Sequence, residues 1–108
     1  MMAKYLIEAS YSQAGIKGVI KEGGTGRRAA LQAAVKALGG KVESFYFGFG
    51  STDVYLTIDA PDNVSVAAFS MAIGAAGSVS RLKTTVLLTP AEIDEATKKH
   101  VKYRAPGA

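Results

Sequence analysis

The chain has 108 residues, of which 48% are hydrophobic and 20% charged, so it is expected to form one globular domain and not a disordered chain. It contains no cysteine, which excludes disulfide bonds and thiolate metal sites. The formal net charge is +4, but the basic residues are scattered and are not interleaved with aromatic residues, so the charge does not favour nucleic-acid binding.

The first part of the chain predicts one strand and two helices. Residues 4–10 alternate as a half-buried strand does. Ser12 can cap a helix over 13–22, and Thr25 is expected to cap a stronger helix that ends at Gly39-Gly40. Apolar residues recur in this stronger helix at the spacing of a single buried stripe, namely Leu31, Ala34, Val35 and Leu38.

Two strands joined by a glycine-bearing turn are expected next, over 41–48 and 53–60. Aromatic or aliphatic residues lie on both faces of this ribbon. Such a sheet must be covered twice, by its own helices and by something else, for which a second copy of the chain is the natural candidate. The register stays open, because a slip of one residue exchanges Phe45, Phe47 and Phe49 for Val42, Ser44 and Tyr46.

The last part of the chain predicts a helix, a strand and a final helix. The helix from Val64 to Gly77 carries no charge, so we expect it to be covered by its own sheet and by a neighbouring subunit. A strand over 79–88 follows. Thr89, Pro90 and Glu92 then form a capping box that starts a helix to about residue 99.

The uncharged helix is too short and too diluted by serine and glycine to cross a membrane. The N-terminal residues lack the apolar core of a signal peptide, so a cytoplasmic protein is expected.

The order of these elements is β-α-β-β-α-β with added helices. Right-handed crossovers place both main helices on one face of an antiparallel four-stranded sheet, which is the ferredoxin-like α+β arrangement. We expect a single domain over residues 1–100 and an extended tail over 101–108.

The sequence resembles the GYD domain family, which belongs to the dimeric α/β-barrel group. The resemblance extends over nearly the whole chain, in order. The segments that carry it are 4–7, 15–18, 21–28, 38–47, 49–54, 61–63 and 87–90. It implies that the ferredoxin-like domain assembles as a dimeric α/β barrel or a higher oligomer.

The resemblance implies a fold but no reaction. Relatives in the wider group include small monooxygenases, isomerases and haem-degrading enzymes, and their activities would reach this chain by fold analogy alone. One position departs from the family pattern: Thr52 stands where a tyrosine commonly precedes the aspartate of the turn. Any ligand role of that tyrosine is therefore in doubt here, whereas Gly50 and Asp53 are retained.

The segment that contains Gly24, Thr25, Arg27 and Arg28 could hold an anion. Free N–H groups at a helix start, a hydroxyl and two guanidinium groups suit a phosphate or a carboxylate. The segment matches neither a Walker A loop nor a dinucleotide fingerprint. The simpler interpretation, which we favour, is a helix break with solvated arginines.

Asp53 is the candidate catalytic residue. As a general base, it would work in a sheet-lined cavity with Tyr46, Phe49 and Tyr55 as the surrounding ligand-binding residues. The simpler interpretation is a turn aspartate that bonds main-chain N–H groups or a nearby arginine. The aromatic residues are likewise more readily explained as core and interface.

No metal or cofactor is expected. His100 is the sole histidine and lies at a helix end, where the helix dipole is enough to explain it. No further histidine or carboxylate has the spacing of a zinc or iron site.

Three functions are compatible with the sequence. The first is a homo-oligomer that associates through its sheet face and the Val64–Gly77 helix and works as a regulatory module or binds a small anionic or aromatic ligand. The second is a cofactor-independent enzyme, monooxygenase-like or isomerase-like, that uses Asp53 as its base. The third is a structural assembly subunit that binds nothing.

Overall fold

The computed structural model describes residues 2–108 and shows eight helices and strands in that range. In chain order they are β1 (Ala3–Tyr11), α1 (Gln13–Glu22), α2 (Gly24–Ala37), β2 (Lys41–Phe47), β3 (Val54–Ala60), α3 (Asn63–Ala75), β4 (Val79–Leu87) and α4 (Pro90–Thr97). The strands form one antiparallel sheet in the order β2-β3-β1-β4. The predicted ferredoxin-like α+β fold is confirmed.

Two of the predicted helix caps are present. The Ser12 hydroxyl accepts a hydrogen bond from the Gly15 main-chain N–H at 3.1 Å and starts α1. Thr89 and Glu92 form the predicted capping box of α4, with Pro90 in its first turn.

The predicted cap at Thr25 is wrong. Helix α2 begins two residues earlier than that cap requires, at Gly24, and its N-cap is Gly23, which offers no side-chain hydrogen bond. Gly23 has a φ of 85°, a conformation that glycine adopts without the cost a Cβ would bring. One residue is therefore enough to end α1 and start α2, and Thr25 lies inside the first turn.

A β-bulge decides which aromatic residues of β2 face the helices. The pairing of β2 with β3 shifts between Val42 and Ser44, so that Val42 lies opposite Ile58 and Phe45 opposite Leu56. Both partners on β3 are buried, and Val42 and Phe45 pack against the same core. In a regular strand Val42 and Phe45 would point to opposite faces of the sheet. Here they share one face, because the bulge between them reverses the alternation.

The core lies between the sheet and the helices. At one end large side chains from α2, α3, β1 and β3 fill the space, and we call this the packed end: Tyr5, Val35, Ile58, Val66 and Phe69. The space left there amounts to about 10 Å³. A void of that size barely holds one water molecule.

The other face of the sheet carries no helix, and we call it the open face. One cross-strand row on it runs through Tyr46, Tyr55, Glu8 and Lys83. The row is aromatic over β2 and β3 and charged over β1 and β4. The open face is therefore mixed in character.

Helix α4 and the residues after it extend away from the domain. None of the eight residues of α4 is buried, and the radius of gyration is 16.8 Å. A compact domain of this length has a radius of gyration near 13 Å. Residues 98–108 form no further helix or strand.

Candidate functional site

A pocket of about 450 Å³ lies on the helix side of the sheet, between α1 and α2 on one side and α3 on the other. We call it the helix-side pocket. Its floor is formed by β1, β3 and β4, where Ile7, Ala9 and Leu56 are buried. The volume is in the range of natural small-molecule sites.

Small side chains create this pocket. The helices that border it present alanine or glycine at many of the lining positions: Ala14, Gly18, Ala30, Ala34, Ala72 and Ala76. Well-packed cores leave few voids larger than a water molecule. The pocket therefore follows directly from the choice of small residues on the facing helices.

Glycine at position 15 fixes how closely α1 approaches the start of β4. A Cβ at this position would lie 1.9 Å from the main-chain oxygen of Ser78. The Ser12 main-chain N–H donates to that same oxygen at 2.9 Å. Close approach of the two backbones thus closes the pocket at the α1–β4 side.

The pocket has one polar end. Glu22 and Arg27 are its charged lining residues within the described chain, and Tyr11 lines it as well. Arg27 Nη1 lies 3.5 Å from Glu22 Oε1, a long contact between two partly exposed side chains. Burial raises the pKa of the Tyr11 hydroxyl above its ordinary value, against the opposing effect of the Arg27 guanidinium. The phenol therefore stays protonated at neutral pH and can donate a hydrogen bond.

Asp53 lies beside this polar end and connects the β2–β3 turn to β1. Its Oδ2 accepts from the Tyr11 main-chain N–H at 2.9 Å, and its own N–H donates to the Ala9 oxygen at 2.9 Å. The Gly48 N–H donates to the Asp53 main-chain oxygen at 2.8 Å. These bonds match the simpler interpretation of a turn aspartate, and a role as general base stays a prediction.

Thr52, where the chain departs from the family pattern, is buried with 6% exposure. Its hydroxyl accepts from Arg81 Nη2 at 2.7 Å, and the same nitrogen donates to the Ser51 oxygen at 2.9 Å. A second bond to the Ser51 oxygen comes from the Ser10 hydroxyl at 2.6 Å. Thr52 therefore helps to fix the turn on β1 and β4.

The aromatic residues proposed to surround Asp53 lie elsewhere on the surface. Tyr46 and Tyr55 are cross-strand neighbours on the open face, with exposures of 69% and 41%. Phe49 is fully exposed at the tip of the turn. The structure thus brings two of the three together, but on the face opposite the pocket.

The residues proposed to hold an anion are also divided. Arg27 lines the helix-side pocket, whereas Thr25 and Arg28 are exposed outside it. A Cβ at position 24 would lie 3.1 Å from Phe47 Cε2, so Gly24 lets the start of α2 rest against that ring. Of this group, Arg27 alone faces the pocket.

Sequence reasoning missed most of the pocket. Arg27 was singled out as a candidate ligand-binding residue, but no pocket was expected at the glycines of α1 or at the alanines of α3. The signal that could have found the pocket is the recurrence of small residues on all three helices at core-facing positions, which is visible only once their mutual orientation is known.

The described residues contain neither a group of metal ligands nor a membrane-spanning helix. No group of three histidine, aspartate or glutamate side chains within residues 2–108 could hold a metal ion. Over the same range, no helix has both the length and the apolar character that crossing a membrane requires.

The outer surface of α3 is apolar and exposed. Its residues carry no charge, and Val64 and Met71 are 79% and 74% exposed. Contiguous apolar surface of this kind is typical of an interaction site.

Comparison with known proteins supports the fold and the family. The profile of the GYD domain family matches residues 5–97. No curated protein matches the sequence. The crystal structure of MtbAldR is similar to this chain with a TM-score of 0.59 at 18% sequence identity, which supports the fold alone. The alignment covers 98% of this chain, which spans 60% of the length of MtbAldR.

Proposed function

The chain belongs to the GYD domain family, and we propose that it is a homo-oligomeric module that binds a small molecule in the helix-side pocket. The observation that carries the proposal is the pocket itself: about 450 Å³ of largely apolar space with Tyr11, Glu22 and Arg27 at one end. An apolar body with a few convergent polar groups is the usual design of a small-molecule site.

Exposed apolar surface supports the oligomeric part of the proposal. The uncharged outer surface of α3 and the tyrosine pair of the open face are both uncovered in a single chain. Helix α4 has eight residues and buries none of them. Isolated helices of that length are marginal in water, so contact with a second copy would stabilise it.

Catalysis is not part of the proposal. The Asp53 carboxylate is engaged with the Tyr11 main-chain N–H, and the tyrosines that would have formed its cavity are on the open face. The binding function needs neither the Asp53 carboxylate nor the two tyrosines of the open face.

Native mass spectrometry of gently purified protein tests both parts together. We expect a discrete oligomer that retains a small molecule. The Ala72→Leu variant should lose this molecule because Ala72 lines the pocket, whereas Ala75→Leu, three residues further along α3 and outside the pocket, should keep it. A monomer would contradict the oligomeric part. Equal retention by both variants would show that the molecule binds elsewhere.

A further inference from the structure

The polar end of the helix-side pocket holds one positive and one negative side chain, and the weakness of their contact bears on the kind of ligand. Arg27 and Glu22 face each other there through a single contact of 3.5 Å, with side-chain exposures of 33% and 41%. At that distance the contact is at the limit of a hydrogen bond. Partly exposed pairs of this kind hold each other weakly.

Arg27 has unused capacity to donate hydrogen bonds. A guanidinium group carries five N–H donors, and within residues 2–108 the Arg27 side chain donates to Glu22 alone. A carboxylate that reached it from inside the pocket could accept two parallel bonds, which is the strongest arrangement available to arginine.

The backbone around Arg27 also favours a negative charge. Arg27 lies in the first turn of α2, whose N-cap Gly23 supplies no side-chain acceptor. The first N–H groups of a helix and its dipole stabilise an anion placed near them. Glu22 provides part of this charge now, from the end of α1.

Tyr11 adds a neutral donor at the same end. Its ring is half-buried in the pocket wall, and its hydroxyl has no hydrogen-bond partner among the described residues. Asp53 and Glu22 are the negative groups that act on this phenol and Arg27 the positive one. A ligand oxygen would therefore find two donors, one charged and one neutral.

Resting on the function proposed above, we infer that the helix-side pocket takes amphipathic carboxylic acids. The apolar body of the ligand lies over Ile7 and Leu56, between the small residues of α1, α2 and α3. Its carboxylate replaces Glu22 as the partner of Arg27 and accepts a further bond from Tyr11.

Calorimetric titration with three probes of equal chain length tests the inference: octanoate, 1-octanol and octylammonium. Octanoate should bind at least about tenfold more tightly than 1-octanol, because a hydrogen bond between two charged groups is stronger than one to a neutral hydroxyl. Octylammonium should bind most weakly, since it meets Arg27 with a like charge.

Three variants assign the effect to its residues. Arg27→Gln should weaken octanoate binding about tenfold or more and change 1-octanol binding by less than about twofold. Arg28→Gln removes the same charge from the next, exposed position and should leave octanoate binding unchanged. Glu22→Gln should strengthen octanoate binding several-fold, because it removes the group that competes for Arg27.

The outcomes separate the inference from the function on which it rests. If 1-octanol binds as tightly as octanoate, or if Arg27→Gln has no effect, the pocket binds ligands but does not select carboxylates, and the inference is wrong. If octylammonium binds most tightly, Glu22 is the residue that selects the ligand, and the inference is again wrong. If the wild-type protein binds none of the probes, the inference is wrong, and the binding function fails with it only if native mass spectrometry also finds no retained small molecule.

Discussion

The two ends of the space between sheet and helices differ in how many small side chains line it. At the packed end, Val35, Ile58 and Val66 leave about 10 Å³. At the pocket end, Ala34, Ala72 and their neighbours leave about 450 Å³ over the same sheet. Helices α2 and α3 run through both ends, so neither the fold nor the number of helices explains the difference.

The packed end holds the domain together, whereas the pocket end is free to bind a ligand. Hydrophobic burial stabilises in proportion to the apolar area removed from water, and the packed end buries Tyr5, Val35 and Ile58 with little space left between them. The pocket end leaves its floor, formed in part by Ile7 and Leu56, available to a ligand. Substitutions at the packed end should therefore lower stability, and substitutions at the pocket end should lower ligand affinity.

The largest loss of stability is expected for Ile58→Ala at the packed end. Ile58 is buried with 2% exposure, so its truncation removes apolar contacts and leaves a cavity. Truncation of such a residue costs about 2–5 kcal/mol of unfolding free energy. Urea denaturation followed by circular dichroism measures it, with Ile20→Ala on the exposed surface of α1 as the control. A loss below about 1 kcal/mol would show that the packed end is not the main source of stability.

Gly15→Ala should have the next largest effect, although it adds only one methyl group. Its Cβ would overlap the Ser78 oxygen at 1.9 Å, so α1 must move away from β4. Overpacking of this kind costs about 1–3 kcal/mol. Gly18→Ala is the matched control on the same helix, because its Cβ meets nothing within 4 Å. That variant should be neutral or more stable by up to about 1 kcal/mol. Equal melting temperatures for the two variants would contradict this account of the close approach.

Ala34→Leu should change stability by less than about 1 kcal/mol, since its added methyl groups enter a space that is empty. Its effect should be on binding instead: octanoate affinity should fall at least about tenfold. Ala33→Leu, the adjacent position outside the pocket, should leave binding unchanged. Calorimetry and thermal melting on the same samples give both quantities. A strong loss of stability in Ala34→Leu would show that the pocket end is as tightly packed as the other.

Local sequence patterns predicted most of the helices and strands. Strand alternation, the Ser12 cap and the Thr89–Glu92 capping box are local patterns, and each predicted its element correctly. The bulge after Val42 and the start of α2 at Gly24 depend on backbone conformations that several residues allow, so the register stayed open and the Thr25 cap was wrong.

The pocket could not be predicted for a different reason. Whether an alanine faces a partner helix, solvent or a void depends on the mutual orientation of α1, α2 and α3, which no local pattern contains. Arg27 was singled out from its glycine-rich segment, but its position at the pocket end follows from the turn at Gly23. The aromatic residues near Asp53 looked like one group in sequence, yet alternation along β2 and β3 directs Tyr46 and Tyr55 to the open face.

The smallest expected effect concerns how α3 is anchored at the packed end. Asp62 caps this helix: its Oδ1 accepts from the Ser65 main-chain N–H at 2.7 Å, and the bonds from Ser65 lower the pKa of the Asp62 carboxyl below its ordinary value. A lowered pKa in the folded state stabilises the protein above the pKa of the unfolded chain, and this contribution is lost as pH falls through the folded value. Wild-type stability should therefore fall below about pH 4, where aspartate begins to be protonated in unfolded chains. Asp62→Asn keeps a capping oxygen but does not titrate, so its stability should fall less steeply over the same range. Urea denaturation from pH 5 to pH 2 measures both slopes, and parallel slopes would mean that the cap is not formed by a carboxylate in solution.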